Sequence, residues 1–147
     1  MNPDNIVSDS ELSFIDVVKQ HFPRSRHIGC FFHYCKSLWR RVQELGLSVM
    51  YKEDYDFRLH IQTHMALAFL PSDEVHTFAT SLHQQYTEYT AIEQFHTCFC
   101  NTWLTGSFPV ELWNQYSVDS QLCTNNTVES WHARFNELCG LLTRTFS

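Results

Sequence analysis

The fold of this chain is decided by residues 5–30, which read NIVSDSELSFIDVVKQHFPRSRHIGC. Two short apolar segments, residues 5–8 and 26–29, flank a stretch whose apolar residues recur with the period of an amphipathic helix. We therefore predict a strand, a helix that Pro23 ends, and a second strand. Because two strands joined by a helical crossover run parallel, this order predicts a small α/β unit.

Further sequence signals indicate where the first helix of this unit begins and predict a second helix after the second strand. Ser8 to Glu11 offers a cap for the first helix, with Glu11 at the third helical position. A second helix is predicted from about residue 31 to Glu44, and Gly46 is a natural stop for it. The apolar side of this helix consists of Phe31, Tyr34, Leu38 and Val42. The α/β part accordingly spans residues 5–46.

The middle of the chain, residues 50–117, has helical patterning throughout. Apolar residues recur at helical spacing over residues 54–70 and 91–104. Pro71 marks the start of a helix between them, and Pro109 begins a short helix near the end of the block. Only four Gly and four Pro occur in the chain, which leaves little material for hairpins. The fold class predicted is mainly α with a small α/β part.

Composition and charge restrict the function. A chain of 147 residues with 44% hydrophobic residues makes one domain with a real core. Six Cys without a secretory signal indicate reduced thiols, in the nucleus or the cytoplasm. The longest apolar run, residues 65–70, is too short to cross a membrane. The net charge of −6 disfavours DNA binding by this chain alone, because such binding neutralises phosphates with basic residues.

The last predicted helix lies within residues 124–140. Asn126 can cap it, and Glu129 follows at the capping-box position. Its apolar stripe consists of Val128, Trp131, Phe135 and Leu138. A buried helix with a good cap explains this pattern without any chemistry.

Asp9 is a candidate functional residue because of its position after the first predicted strand. It follows the first predicted strand, at the carboxyl end where open α/β sheets place functional groups. The alternative is that Asp9 only caps the helix after it. The residues themselves leave both interpretations open.

Two blocks, residues 6–44 and 109–136, carry motifs that belong together. The first carries Ser8-Asp9-x-Glu11, then Phe22-Pro23, then Gly29-Cys30-x-x-His33, and the second carries Thr124-Asn125-Asn126-x-x-Glu129-x-Trp131. In this order the motifs resemble those of the Mutator-like (MULE) transposases, a family that places an Asp-Asp-Glu set on an RNase H-like core. The resemblance implies a truncated RNase H-like unit interrupted by a helical insertion, whose parent activity is metal-dependent DNA strand cleavage and transfer.

The resemblance also implies roles for individual residues. Asp9 matches the second catalytic Asp and Glu129 the catalytic Glu, and both would hold Mg²⁺ or Mn²⁺. Two such ions activate the attacking oxygen and stabilise the leaving one in phosphoryl transfer, and they prefer carboxylate ligands. The other matched motif positions are Cys30, His33, Asn125, Asn126 and Trp131. The parent family's partners are DNA and other transposase chains.

The match departs from the family before Asp9. Only eight residues precede it, and Asp4 is too close to be the first catalytic Asp. Leu122-Cys123 also stands where the family has a basic residue. We therefore expect a fragment or degenerate copy of the catalytic domain, inactive on its own. The alternative is a non-catalytic module, derived from a transposase, that binds protein through its aromatic-rich helices.

A zinc-binding helical domain is a third interpretation. Cys30 and His33 could begin a zinc site, and the remaining candidates are Cys35, Cys98, Cys100, His60 and His64. Because these residues lack the spacing of a zinc finger, we expect Cys30 and His33 to be buried braces of the strand–helix junction. For His60 and His64, at i and i+4 of one helix, we expect a solvated helix face.

Overall fold

The computed structural model describes residues 3–8 and 11–118, and within these ranges the protein is mainly helical with a two-stranded sheet. The elements are β1 (Asn5–Ser8), α1 (Leu12–His21), β2 (Arg26–Gly29), α2 (Phe31–Glu44), α3 (Ser48–Glu53), α4 (Tyr55–Ala66), α5 (Val75–His83), α6 (Thr90–Phe99) and α7 (Val110–Trp113). The chain divides into two compact units between Tyr116 and Ser117. All the described residues except 117 and 118 belong to the first unit, and the helix predicted within residues 124–140 lies outside the described residues.

The β1–α1–β2 unit confirms the prediction of a parallel α/β opening. Strands β1 and β2 pair in parallel, and Ser8 lies opposite Gly29 at their carboxyl ends. Helix α1 makes the crossover and buries Ile15 and Val18. Parallel strands need such a crossover, and a ten-residue amphipathic helix supplies it here.

The start of α1 differs from the capping-box prediction. Glu11 occupies the N-cap position itself, not the third helical position, and it makes no side-chain cap hydrogen bond. The backbone carbonyl of Glu11 accepts hydrogen bonds from the N–H groups of Phe14 and Ile15. The helix therefore begins with backbone bonding alone at this residue. Asp9 and Ser10 lie outside the described residues.

Helix α2 has the predicted length, and Gly46 ends it as expected. Gly46 has φ of +71°, and its N–H donates to the carbonyl of Gln43. Glycine adopts this left-handed conformation without the steric cost that a side chain brings. Helix α3 was not predicted, because six residues are too few to show a helical period.

The helical block over residues 50–117 is confirmed in outline. Helix α4 is capped by Asp54, whose carboxylate accepts from the N–H of Phe57 at 3.0 Å. The predicted helix over residues 54–70 is split, because a 3-10 helix, Leu67–Phe69, follows α4. Helix α6 continues as a π-helix over Cys100–Leu104.

Aromatic side chains join the block to α2. The Tyr34 ring stacks on Trp113, with centroids 4.8 Å apart, and meets Trp103 edge-on. The Trp113 indole N–H donates to the carbonyl of Trp103 at 2.9 Å, so the buried indole has its partner.

In the described parts of the chain, no helix is both long enough and apolar enough to cross a bilayer.

Candidate functional site

The carboxyl edge of the sheet is the first of two places where potentially functional residues gather. Ser8 and Gly29 end the two strands side by side, and the N–H of Cys30 donates to the carbonyl of Ser8 at 2.8 Å. Asp9 follows Ser8 in the sequence but lies outside the described residues. The other predicted site residues that lie outside them are Asn125, Asn126, Glu129 and Trp131.

Cys30 and His33 start helix α2 at this edge. Cys30 is the N-cap residue, and its thiol makes no cap hydrogen bond. The His33 ring meets the Phe32 ring edge-on at 5.7 Å. We expected both residues to be largely buried, but both are half-buried. The reason is that the first turn of α2 lies at the surface of the unit. Within residues 3–8 and 11–118, neither belongs to a group of three potential metal ligands.

The other cysteines named as zinc candidates lie in α2 and around the end of α6. Cys35 is buried in α2, and Cys98 and Cys100 are half-buried free thiols near the end of α6. The Cys98 thiol lies 3.9 Å from the hydroxyl of Thr102. None of these three cysteines enters a metal-ligand group among the residues with described positions.

The second place is a histidine cluster inside the helical block, and it corrects the prediction for His60 and His64. Their side chains are 3% and 0% exposed, so the face of α4 that carries them is not solvated. Helices α5 and α6 cover that face and add His83 and His96. We use the term histidine cluster for these four residues: His60, His64, His83 and His96.

His96 and His83 were missed because they are distant in sequence from the i, i+4 pair. A usable signal existed for His96, since it lies beside Ile92, Phe95 and Phe99 on the apolar stripe of α6. His83 is the last residue of α5 and has no such signal. Their proximity to His60 and His64 depends on how three helices pack.

Direct contacts connect the four rings. The Nε2 atoms of His60 and His96 lie 2.8 Å apart. The His83 ring stacks on that of His96 with centroids 4.5 Å apart and 15° between planes, and on that of His64 at 5.5 Å and 12°. His60 meets His64 edge-on at 4.8 Å. Such contacts require rings that do not repel one another as cations.

Burial keeps these rings neutral. It lowers the pKa of His60, of His83 and, far more strongly, of His64, because a charged imidazolium loses its hydration inside the protein. For His96, burial and then the neighbouring His83 and His60 lower the pKa to about 3. Neutral imidazoles offer lone pairs, so the cluster presents nitrogen ligands at physiological pH.

Comparison with known proteins gives this chain no assignment: no family model, no curated protein and no solved structure matches it.

Proposed function

We propose that this chain is a part of the catalytic domain of a Mutator-like transposase, with the helical block inserted into a truncated RNase H-like unit. The observation that carries the proposal is the return of the chain to the sheet. The side-chain amide of Gln115 donates to the carbonyl of Gly29 at 3.0 Å, across 86 residues of sequence. An insertion requires this arrangement, because its two ends must lie near the fold that it interrupts.

The return point also bears on the two acidic residues. Gln115 contacts the last residue of β2, at the same sheet edge where β1 ends one residue before Asp9. Fourteen positions of sequence then separate Gln115 from Glu129, and a chain of that length spans several tens of ångströms when extended.

The parent chemistry would be divided between these residues as in the family that the sequence resembles. Asp9 and Glu129 would hold Mg²⁺ or Mn²⁺ through carboxylate oxygens, the donors that such hard ions prefer. The bound ions would supply activation of the attacking oxygen and stabilisation of the leaving one. DNA and other transposase chains would be the partners, in the nucleus or the cytoplasm. The net charge of −6 requires basic surface from another chain or segment.

The test is a crystal structure of the chain soaked with Mn²⁺, together with Asp9→Asn and Glu129→Gln variants. We expect the two carboxylates within about 8 Å of each other, the reach over which two ions about 4 Å apart are shared. The anomalous signal of the metal should weaken in each variant. Carboxylates on opposite sides of the molecule would overturn the transposase proposal.

A non-catalytic interaction module derived from a transposase is the second candidate. It is favoured by the exposed apolar side chains of the α/β part, which are Val7, Leu12, Phe14 and Val17. A contiguous patch of exposed apolar residues is typical of protein-binding surfaces, and this candidate requires that the four side chains form such a patch. This candidate predicts that the wild-type chain self-associates in light scattering, and that Phe14→Ser with Val17→Ser abolishes the association. A wild-type chain that stays monomeric would contradict this predicted self-association.

A further inference from the structure

The histidine cluster has no role in the proposed transposase function. We propose that His60, His64 and His96 bind one divalent transition-metal ion of the zinc type, which joins α4 to α6. The three ligands include none of the residues that carry the proposed function, and this inference does not depend on it.

The three ligand atoms lie close enough to share one ion. Each of the three histidines offers a ring nitrogen, and these nitrogens lie within 4.8 Å of one another. Three points so placed lie within about 2.8 Å of a common centre, which is the widest separation divided by √3. Zinc–imidazole bonds are about 2.0 to 2.1 Å long, so ring shifts of less than about 1 Å complete the coordination.

His64 is already prepared as a ligand. Its Nδ1 donates to the backbone carbonyl of His60 at 2.9 Å, which leaves the lone pair of the neutral ring on Nε2. That Nε2 atom is buried, and it has no hydrogen-bond partner among the residues that the structure describes. A buried imidazole nitrogen with a free lone pair costs stability unless something binds it. A carbonyl that holds the opposite nitrogen is the usual support for a metal-binding histidine.

His60 is the same tautomer as His64, with the proton on Nδ1. Its Nδ1 lies 3.3 Å from Oε1 of Gln85, an oxygen that only accepts, so Nδ1 carries the proton and Nε2 the lone pair. In the metal-free protein, Nε2 of His96 must therefore donate across the 2.8 Å contact to His60. Binding of the ion through Nε2 of His96 would move its proton to Nδ1, whereas binding through Nδ1 would use the lone pair that is already there. The three rings remain neutral throughout, so the step changes no net charge.

The donor set selects the class of ion. Three imidazoles suit Zn²⁺, Co²⁺, Ni²⁺ and Cu²⁺, whereas Mg²⁺ and Ca²⁺ require oxygen ligands. Aromatic rings enclose the cluster, since Phe95 and Phe99 both meet His64 edge-on at about 5 Å. His83 stacks beside the three ligands, and its buried Nε2 likewise lacks a partner within the described part of the chain. The proposed site thus has nitrogen ligands in a buried surrounding that is rich in aromatic rings.

The test is metal titration of the full chain without an affinity tag, after dialysis against a chelator. We expect one Zn²⁺ or Co²⁺ per chain, a rise in Tm on binding, and visible Co²⁺ bands of tetrahedral type. The thiolate-to-Co²⁺ charge-transfer band in the near ultraviolet should be absent, since the ligands are nitrogens. His64→Gln and His96→Gln should each weaken binding by more than about 100-fold, because each removes a primary ligand.

Two controls keep the outcome decisive. His76→Gln changes an exposed histidine of α5 and should bind metal like the wild type. Circular dichroism of each metal-free variant establishes that loss of binding is not loss of folding, and His60→Gln gives a third ligand variant if one fails to fold. Folded wild-type protein that binds no stoichiometric metal would overturn the proposal. So would a Co²⁺ spectrum with thiolate charge transfer, which would place the metal on cysteine.

Discussion

The hydroxyl of Tyr34 donates a hydrogen bond to the backbone carbonyl of His64 at 2.7 Å, across 30 residues of sequence. Tyr34 belongs to α2, in the α/β part, and His64 to the last turn of α4, where carbonyls run short of helical donors. Burial raises the pKa of the Tyr34 phenol well above 10, so the donor keeps its proton. One hydroxyl thus connects the sheet-bearing part to the helix that carries the histidine cluster.

We expect Tyr34→Phe to lower the free energy of unfolding by about 1 to 2 kcal/mol, because it leaves a buried carbonyl without its donor while keeping the stacked ring. Urea denaturation followed by circular dichroism measures the change. Tyr116→Phe is the matched control, since Tyr116 is 61% exposed and its loss should change stability by less than about 0.5 kcal/mol. Equal effects of the two substitutions would contradict the role of the Tyr34 hydroxyl.

Gly106 is required for the close approach of two backbone segments. A Cβ atom at this position would collide with the carbonyl oxygen and carbon of Asn101, in the π-helix. We expect Gly106→Ala to cost about 3 kcal/mol or more, because backbone atoms must move to admit the methyl group.

Gly46→Ala is the comparison for this glycine. Nothing lies within 4 Å of a Cβ at Gly46, so only its φ of +71° opposes alanine, at about 1 to 2 kcal/mol. Thermal unfolding of both variants should place Gly106→Ala clearly below Gly46→Ala in stability. The reverse order would show that the contact with Asn101 relaxes at little cost.

The histidine cluster should make the metal-free protein sensitive to acid. The pKa of His96 is about 3 in the folded state, against an ordinary value of 6.5, so below pH 6.5 the unfolded chain binds more protons. Stability is therefore full above pH 6.5 and falls as the pH drops toward 3, by about 1.4 kcal/mol per pH unit for each such histidine.

Urea denaturation in chelator at pH 7, 6 and 5 measures this slope. His96→Phe keeps an aromatic ring at the site but removes one titrating group, so its slope should be shallower than that of the wild type. Carboxylates titrate alike in both proteins and cancel in the comparison. Parallel slopes for the two proteins would contradict a depressed pKa at His96.

We expect the chain on its own to cleave no DNA. If the proposed function is right, this chain carries two of the three family carboxylates, Asp9 and Glu129, and two carboxylates hold the ions too loosely to place both reacting oxygens in line. The measurement is incubation with plasmid or hairpin DNA in Mg²⁺ or Mn²⁺, with Glu129→Gln as the control. Cleavage that needs metal and disappears in the control would refute this expectation and implicate another acid, such as Asp16 or Glu11.

Local patterns predicted the elements well because neighbouring residues decide them. The segments over residues 5–8 and 26–29 are strands as expected, and α2 ends at Gly46 as expected. The six-residue α3 was missed because it is shorter than two helical turns. The predicted start of α1 was three residues too early, because Glu11 is the N-cap residue and not the third residue of the helix. Glu11 caps the helix through its backbone and not through its side chain.

The amino-acid sequence by itself determined the parallel α/β opening and the helical block, since strand and helix periods, caps and stops are properties of adjacent residues. Only the tertiary structure decided the environment of the histidines. The i, i+4 spacing of His60 and His64 suits a solvated helix face as well as a buried one. In the structure, α5 and α6 pack over that face and bury both residues. His96 meets His60 from 36 residues away because two helices cross there, and such a contact depends on packing that no local pattern records.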